Sequence, residues 1–343
     1  MKEQITEPGD LHDENGHLLQ KGWAWKLILK HKRENIKVSS LKIKDWDCYI
    51  IYNENYSIGL IIADVGYFGM ATFDWIDFKA KENSNGIGLK LFTRGSLNMP
   101  PSSEEGDVNF EKGELYMRFV RKGDERILSF QNNDFMKKKG IKGEITLYQD
   151  PNMDTCVDVV PFKNPKQFVY AQKINCMVPT GTVQIGDETF KFMKENGSVA
   201  VIDWSRGVFP YKTHWYWGSA STMDFNGTGK MFGFNLDYGF GLKEYEQKNF
   251  ILYDGKGHKF DKIEYKFDSK DLTKPWEFTS GDGRFEMTLD PVFDTEIYLN
   301  MLFLKTGGQK VWGYFSGDVV LDDGEKLHVD KLFGFAENYS HRW

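Results

Sequence analysis

The chain has 343 residues, a formal net charge of −6, 40% apolar and 15% aromatic residues. That length suits two domains better than one core. The only basic block is Lys137-Lys138-Lys139, so nucleic acid has no electrostatic footprint, and no apolar run is long enough to cross a bilayer as a helix. The N-terminal stretch Met1-Lys2-Glu3-Gln4-Ile5-Thr6-Glu7 is polar and acidic, unlike a secretory leader. Cys48, Cys156 and Cys176 are far apart and lack metal-ligand or disulfide spacing. A reducing, cytoplasmic setting without metal or cofactor is the expectation.

Residues 1–22 read as an N-terminal loop, with turn chemistry at Pro8-Gly9-Asp10 and Asn15-Gly16. Order begins at Trp23-Ala24-Trp25. Residues 36–52 read as extended, with strict alternation at Leu41-Lys42-Ile43-Lys44. Asn53-Glu54-Asn55 turns the chain into a second strand over 56–65, a hairpin by pattern. Strand-like segments continue at 68–78, 87–93, 107–111, 114–121, 126–131 and 143–149. The second half repeats the style from 180 to 336, including a segment at 297–305. Short helices are expected only within 23–34 and 164–173. Polar residues at Asp150-Pro151-Asn152 and the prolines Pro161, Pro165 and Pro179 suggest a boundary. The expected architecture is all-β: two tandem antiparallel barrels, 23–160 and 161–343.

Residues 198–218 concentrate the chemistry. The apolar run Val199-Ala200-Val201-Ile202 delivers Asp203, Trp204 and Arg206 together. A carboxylate at the end of an apolar strand is costly to bury alone, and Arg206 is its nearest partner in sequence. Asp203 is then either half of a structural ion pair, a ligand anchor with Arg206, or a general acid or base. A guanidinium beside it favours the ionised form, which weighs toward anchoring.

Further along, Trp215 and Trp217 share one face of an extended segment, with Tyr216 and His214 on the other. The two Trp fill a barrel or line an apolar pocket with Trp204 and Tyr211. His214 reads as a structural histidine or a ligand contact. Lys173 and Asn175 share a strand face, suited to solvent or to a polar ligand head. Glu104, Glu105 and Asp107 form an acidic turn from which Glu105 could complete a carboxylate pair with Asp203. Asp64 repeats the strand-then-Asp design.

Several blocks carry a family resemblance. Pro101-Ser102-Ser103-Glu104-Glu105-Gly106-Asp107-Val108, Gln172-Lys173-Ile174-Asn175-Cys176-Met177-Val178-Pro179 and Asp203-Trp204-Ser205-Arg206-Gly207-Val208-Phe209-Pro210-Tyr211 resemble the DUF2804 family, a family of unknown function. So do Trp215-Tyr216-Trp217-Gly218, Gly233-Phe234-Asn235-Leu236, Leu332-Phe333-Gly334-Phe335-Ala336-Glu337 and the final Arg342-Trp343. Gly181-Thr182-Val183 with Val201-Ile202-Asp203-Trp204 is similar to tandem lipocalin-like proteins of the carotenoid 1,2-hydratase and AttH type. That resemblance implies two calycin-like barrels and places Asp203 near a pocket.

The function expected is binding of a hydrophobic small molecule, lipid or isoprenoid-like, in an aromatic-lined pocket of the second barrel. The alternatives are a hydratase or isomerase using Asp203 on an alkene, and a carbohydrate-acting enzyme with paired carboxylates.

Overall fold

The computed structural model describes residues 4–245, 248–301 and 304–342. The expected strand at 297–305 lies outside them at residues 302 and 303, as does Trp343. The chain is nearly all strand. Short period-two segments separated by Gly, Asn and Asp turns bury one face or both, and turn chemistry ends each one.

Thirteen strands form one antiparallel sheet. They are β1 (Gly22–Ala24), β2 (Ile43–Tyr52), β3 (Tyr56–Asp64), β4 (Phe68–Asp77), β5 (Glu82–Leu91), β6 (Asp107–Lys112) and β7 (Leu115–Lys122). The others are β8 (Glu125–Asn132), β9 (Ile141–Tyr148), β10 (Cys156–Pro161), β11 (Phe168–Ile185), β12 (Glu188–Phe192) and β13 (Val199–Val208). The main path runs β5-β4-β3-β2-β13-β11-β9-β8-β7-β6, with β10 and β12 also on β11 and β1 on β10. The two end strands meet through side chains, Lys90 lying 5.0 Å over the Phe110 ring, so the sheet curls into a nearly closed barrel.

Nine strands form the second sheet. They are β14 (Lys212–Thr222), β15 (Phe232–Tyr238), β16 (Phe250–Tyr253), β17 (Lys256–Lys259), β18 (Ile263–Lys266), β19 (Trp276–Ser280), β20 (Phe285–Met301), β21 (Leu304–Val320) and β22 (Lys326–Arg342). The order is β17-β16-β15-β14-β22-β21-β20-β19-β18, a more open barrel. The all-β architecture of two tandem barrel-like antiparallel sheets read from the sequence is therefore the one observed.

Two expectations need correction. Neither short helix forms: 23–34 holds β1, a two-residue strand at Leu29–Lys30 and a single 3-10 turn, and 164–173 runs into β11. The second concerns the boundary. Every strand of the first sheet ends by Val208, and every strand of the second begins from Lys212. The strand carrying Asp203 thus belongs to the first barrel, since it pairs with β2 on one side and β11 on the other. The cluster of prolines near 161 misleads because β10 and β11 lie on both sides of it and pair with each other.

β11 organises the first barrel. Its first half pairs with β10 and β13 and its second half with β9 and β12. The switch falls at a bulge between Ile174 and Met177, where Cys176 adopts φ 56°. A bulge bends the strand and re-aims its side chains. Here it turns Asn175 toward the second sheet, where Nδ2 donates to Ser219 Oγ at 2.8 Å and Phe234 O at 3.0 Å.

The sheets pack against each other through their outer faces. Ile50, Tyr52, Ile76, Val199 and Val201 of the first meet Trp217, Trp312, Phe333 and Phe335 of the second. Trp312 is 1% exposed and packs edge-on to Tyr52 at 5.3 Å. Truncating a buried Trp removes its transfer energy and leaves a cavity. Trp312→Ala is expected to lower unfolding stability by about 3–5 kcal/mol in urea titration; a loss under about 1 kcal/mol would show that the seam contributes little.

Candidate functional site

Alternation along β13 decides where the motif residues go. Ala200, Ile202, Trp204 and Val208 belong to the first barrel's core, while Val199 and Val201 belong to the seam. Arg206 points inward with Trp204, and Asp203 points to the seam with Val201. The expected Asp203–Arg206 pair is therefore not formed.

Asp203 instead accepts from Lys173 Nζ at 2.9 Å, its direct cross-strand partner on β11. Lys173 also lies 3.8 Å from Asp237 and 4.1 Å over the Trp217 ring. Lys248 completes the group at 3.2 Å from Asp237. Asn235 accepts from Trp217 Nε1 at 2.7 Å and donates to the Lys248 carbonyl at 2.7 Å. A second polar group lies along the same seam: Lys310 pairs with Glu337 at 3.2 Å, and Trp215 Nε1 donates to Glu337 at 3.2 Å. Asp74 belongs to it, its carboxyl pushed up by burial and eased by Lys310. Each ammonium of the seam has a carboxylate within reach, which offsets the cost of burying it. Lys173 and Asn175, expected to face solvent or a ligand, are buried here at 4% and 1% exposure.

The remaining expected site residues scatter. Trp204 is fully buried, edge-on to Tyr170 at 5.4 Å, and serves the first core. Trp217 packs on Phe335 at 4.8 Å, and Trp215 on His341 at 4.7 Å. His214 is exposed, 4.7 Å from Tyr216 and 2.7 Å from Asn338 Oδ1. Tyr211 is exposed on the three-residue connector between the sheets. Glu105 is exposed on the loop after β5; the loop meets the sheet on the Trp204–Arg206 face, so no carboxylate pair with Asp203 forms. It is Glu104 that reaches the sheet, accepting from Gln172 Nε2 at 3.3 Å and from Arg121 at 3.1 Å. Asp64 ties its own turn to the segment after β5, accepting from the Gly66 amide at 3.0 Å, Thr93 Oγ1 at 2.8 Å and the Gly95 amide at 2.9 Å.

Inside the mouth of the first barrel, a different constellation comes together. Asp45 and Asp47 alternate inward along β2, facing β13. Arg206 donates to Asp47 Oδ1 at 2.9 Å, to the Trp46 carbonyl at 3.0 Å and twice to the Pro100 carbonyl. It is a fully used clamp that holds the 93–106 loop over the barrel end. Asp45 is paired with Arg33.

A cleft of about 340 Å³ opens there, lined by His31, Arg33, Asp45, Met99, Pro101 and Arg206 among others. Three polar atoms at this cleft are buried without a hydrogen-bond partner: His31 Nδ1, Arg33 Nη2 and Asp45 Oδ1. Burial pushes the Asp45 carboxyl up to about 6, against the pull of Arg206 and Arg33. Burial, with Arg206, pushes His31 down to about 3. At neutral pH His31 is a neutral imidazole with one donor and one acceptor nitrogen. Such a set can donate to, accept from and exchange a proton with a bound molecule.

Sequence reading missed His31, Arg33, Asp45 and Asp47. The signal was present: two carboxylates at i and i+2 flanking Trp46 in a strand whose odd positions are otherwise Ile43, Tyr49 and Ile51. No metal-binding group of His, Cys, Asp and Glu occurs among the described residues. Nor is any helix among them long and apolar enough to cross a membrane.

The buried imidazoles set an acid limit. His12 and His341 are likewise pushed down to about 4, chiefly by burial. The unfolded chain protonates each near 6.5, the folded chain only near 4 or 3. Below 6.5 the unfolded state binds more protons, so their stabilisation is complete above that pH and is lost as pH falls. Asp45 acts oppositely between its ordinary 3.8 and about 6, so the informative quantity is a difference between proteins. His31→Gln is expected to flatten the fall of Tm below pH 6.5 relative to wild type; parallel Tm–pH curves would show that His31 is not held neutral by burial.

Comparison with solved structures gives distant fold likeness. A protein assigned as AttH from Nitrosomonas europaea is 12% identical over 87% of this chain and 92% of its own, with TM-score 0.49. Kievitone hydratase from Nectria haematococca is 10% identical, covering 88% of each chain, with TM-score 0.47. CghA with Sch210972 is 10% identical over 96% of this chain and 97% of its own, with TM-score 0.45. No curated protein matches the sequence. The family pattern of DUF2804, a domain of unknown function, matches residues 2–343, and the chain belongs to that family.

Proposed function

We propose that this protein binds an amphipathic small molecule at the mouth of the first barrel. The observation that carries this reading is the trio of orphaned buried atoms, His31 Nδ1, Arg33 Nη2 and Asp45 Oδ1, beside one cleft. Buried polar groups are nearly always satisfied in a folded protein, and a cluster that is not is poised for a partner. The cleft volume falls within the range of small-molecule sites. Met99 and Pro101 offer an apolar wall, so the ligand pairs an apolar body with a head that both donates and accepts, such as a hydroxyl beside a carbonyl. The expected Trp wall has no part in this: none of Trp204, Trp215 or Trp217 lines the cleft.

One observation favours a catalytic reading of the same site. Asp45, paired with Arg33 but raised to about 6 by burial, takes up and releases a proton closer to neutral pH than an ordinary carboxyl, as general acid–base catalysis requires. Proton donation to an alkene, assigned from sequence to Asp203, belongs on this reading to Asp45. Asp203 is occupied by Lys173.

The test is ligand-observed NMR with a fragment set of hydroxy acids, phenols and aliphatic alcohols, on wild type, Asp45→Asn and Arg33→Ala. Hydroxy-carbonyl fragments are expected to bind wild type and to lose about tenfold or more in affinity in either variant, the effect of one charge-assisted hydrogen bond. Binding that is equal in all three proteins would place the ligand elsewhere.

A further inference from the structure

A second cleft, of about 380 Å³, lies where the two sheets meet at the opposite side of Tyr52 from the first core. Its walls come from both barrels. The β2–β3 turn supplies Asn53, Glu54 and Asn55, and the segment before β13 supplies Asn196. Strand β14 supplies Ser221 and Thr222, the β14–β15 connection Asp224 and Asn226, and the bulged middle of β22 Asp330 and Lys331. It shares no lining residue with the cleft at the barrel mouth.

The lining has a distinct chemistry. Amides and hydroxyls dominate, and each of these groups both donates and accepts. Three carboxylates, Glu54, Asp224 and Asp330, face one ammonium, Lys331, so the cleft accepts hydrogen bonds and repels anions. Phe225 and Phe333 put ring surface at its base. One buried group points to an occupant. Tyr52 is 1% exposed and lines the cleft, and its Oη, although beside Ser221, makes no hydrogen bond of normal geometry. A buried phenol usually finds a partner.

We propose that this inter-barrel cleft binds a neutral polyhydroxylated ligand of monosaccharide to disaccharide size. Hydroxyls of such a ligand satisfy Tyr52 Oη and the carboxylates as donors and the amides as acceptors. A C–H face rests on the Phe rings. Asn53 and Asn196 hold the walls in place from within: Asn53 Nδ2 donates to Ser198 Oγ at 2.9 Å, and Asn196 Nδ2 to the Lys191 carbonyl at 2.7 Å. Asn55 and Asp330, both exposed at the rim, are the groups left to read the ligand. Because one wall belongs to each barrel, the ligand also bridges them.

Saturation-transfer NMR on the full chain, with glucose, xylose and maltose as probes and glucuronate as the anionic counterpart, tests this. At least one neutral sugar is expected to bind wild type, and glucuronate to bind several-fold more weakly than glucose. Asn55→Ala and Asp330→Ala, at exposed positions that leave folding intact, are each expected to weaken sugar binding by about tenfold. Tyr52→Phe, which keeps the ring in the seam, is expected to do the same. Absence of signal from all three neutral sugars overturns the proposal, and so does sugar binding that survives both rim variants.

Discussion

Strand β13 is buried on both faces, and that double burial constrains everything around it. Its neighbours β2 and β11 are fixed in register by ten and eight matched positions. With side chains alternating, Arg206 must enter one barrel while Asp203 must meet the other. Each charge then needs a partner on its own side. Asp47 supplies it within the first barrel, and Lys173 at the seam. A slip of one residue would exchange these environments and leave both charges stranded in apolar surroundings. The polar residues of the motif thus tie register to architecture.

The seam and the mouth divide labour. At the seam, the charged groups Lys173, Asp203, Asp237, Lys248, Lys310 and Glu337 pair with one another, and large rings fill the space between them. Such a network is rigid and holds two bodies in one arrangement. At the mouth, satisfaction is incomplete: Arg206 is fully used, whereas Asp45, Arg33 and His31 each keep an unmatched atom. The same residue types build both clusters, and what differs is their pairing, across two sheets at the seam and within one barrel at the mouth.

Pairing across strands also explains what could be read in advance. Strand style, turn chemistry and the tandem barrel were legible because period-two patterns and Gly, Asn and Asp turns are local. The prominence of Asp203, Trp204 and Arg206 was legible too, as polar residues inside an apolar strand. Their partners were not, because Asp47 and Asp203's Lys173 reach them only through sheet pairing. Proximity in sequence suggested Asp203 with Arg206, but an odd spacing on a strand sends two side chains apart. Prolines near 161 suggested a boundary, but the division between sheets falls at Phe209-Pro210-Tyr211, a connector too short to show as a change in composition.

The position of β13 has a consequence for how the protein is made. Val208 pairs with Ile43, so the central strand of the first sheet reaches its neighbour only after the chain has passed residue 208. Until then, the strands on either side of the gap remain an unclosed pair of half-sheets with bare edges. Pairings so distant along the chain are slow to form, and open edges invite wrong partners meanwhile. The second sheet begins after a connector of only three residues, at Lys212. During synthesis, therefore, closure of the first barrel and emergence of the second nearly coincide, and the seam can assemble on a surface that β13 has just completed.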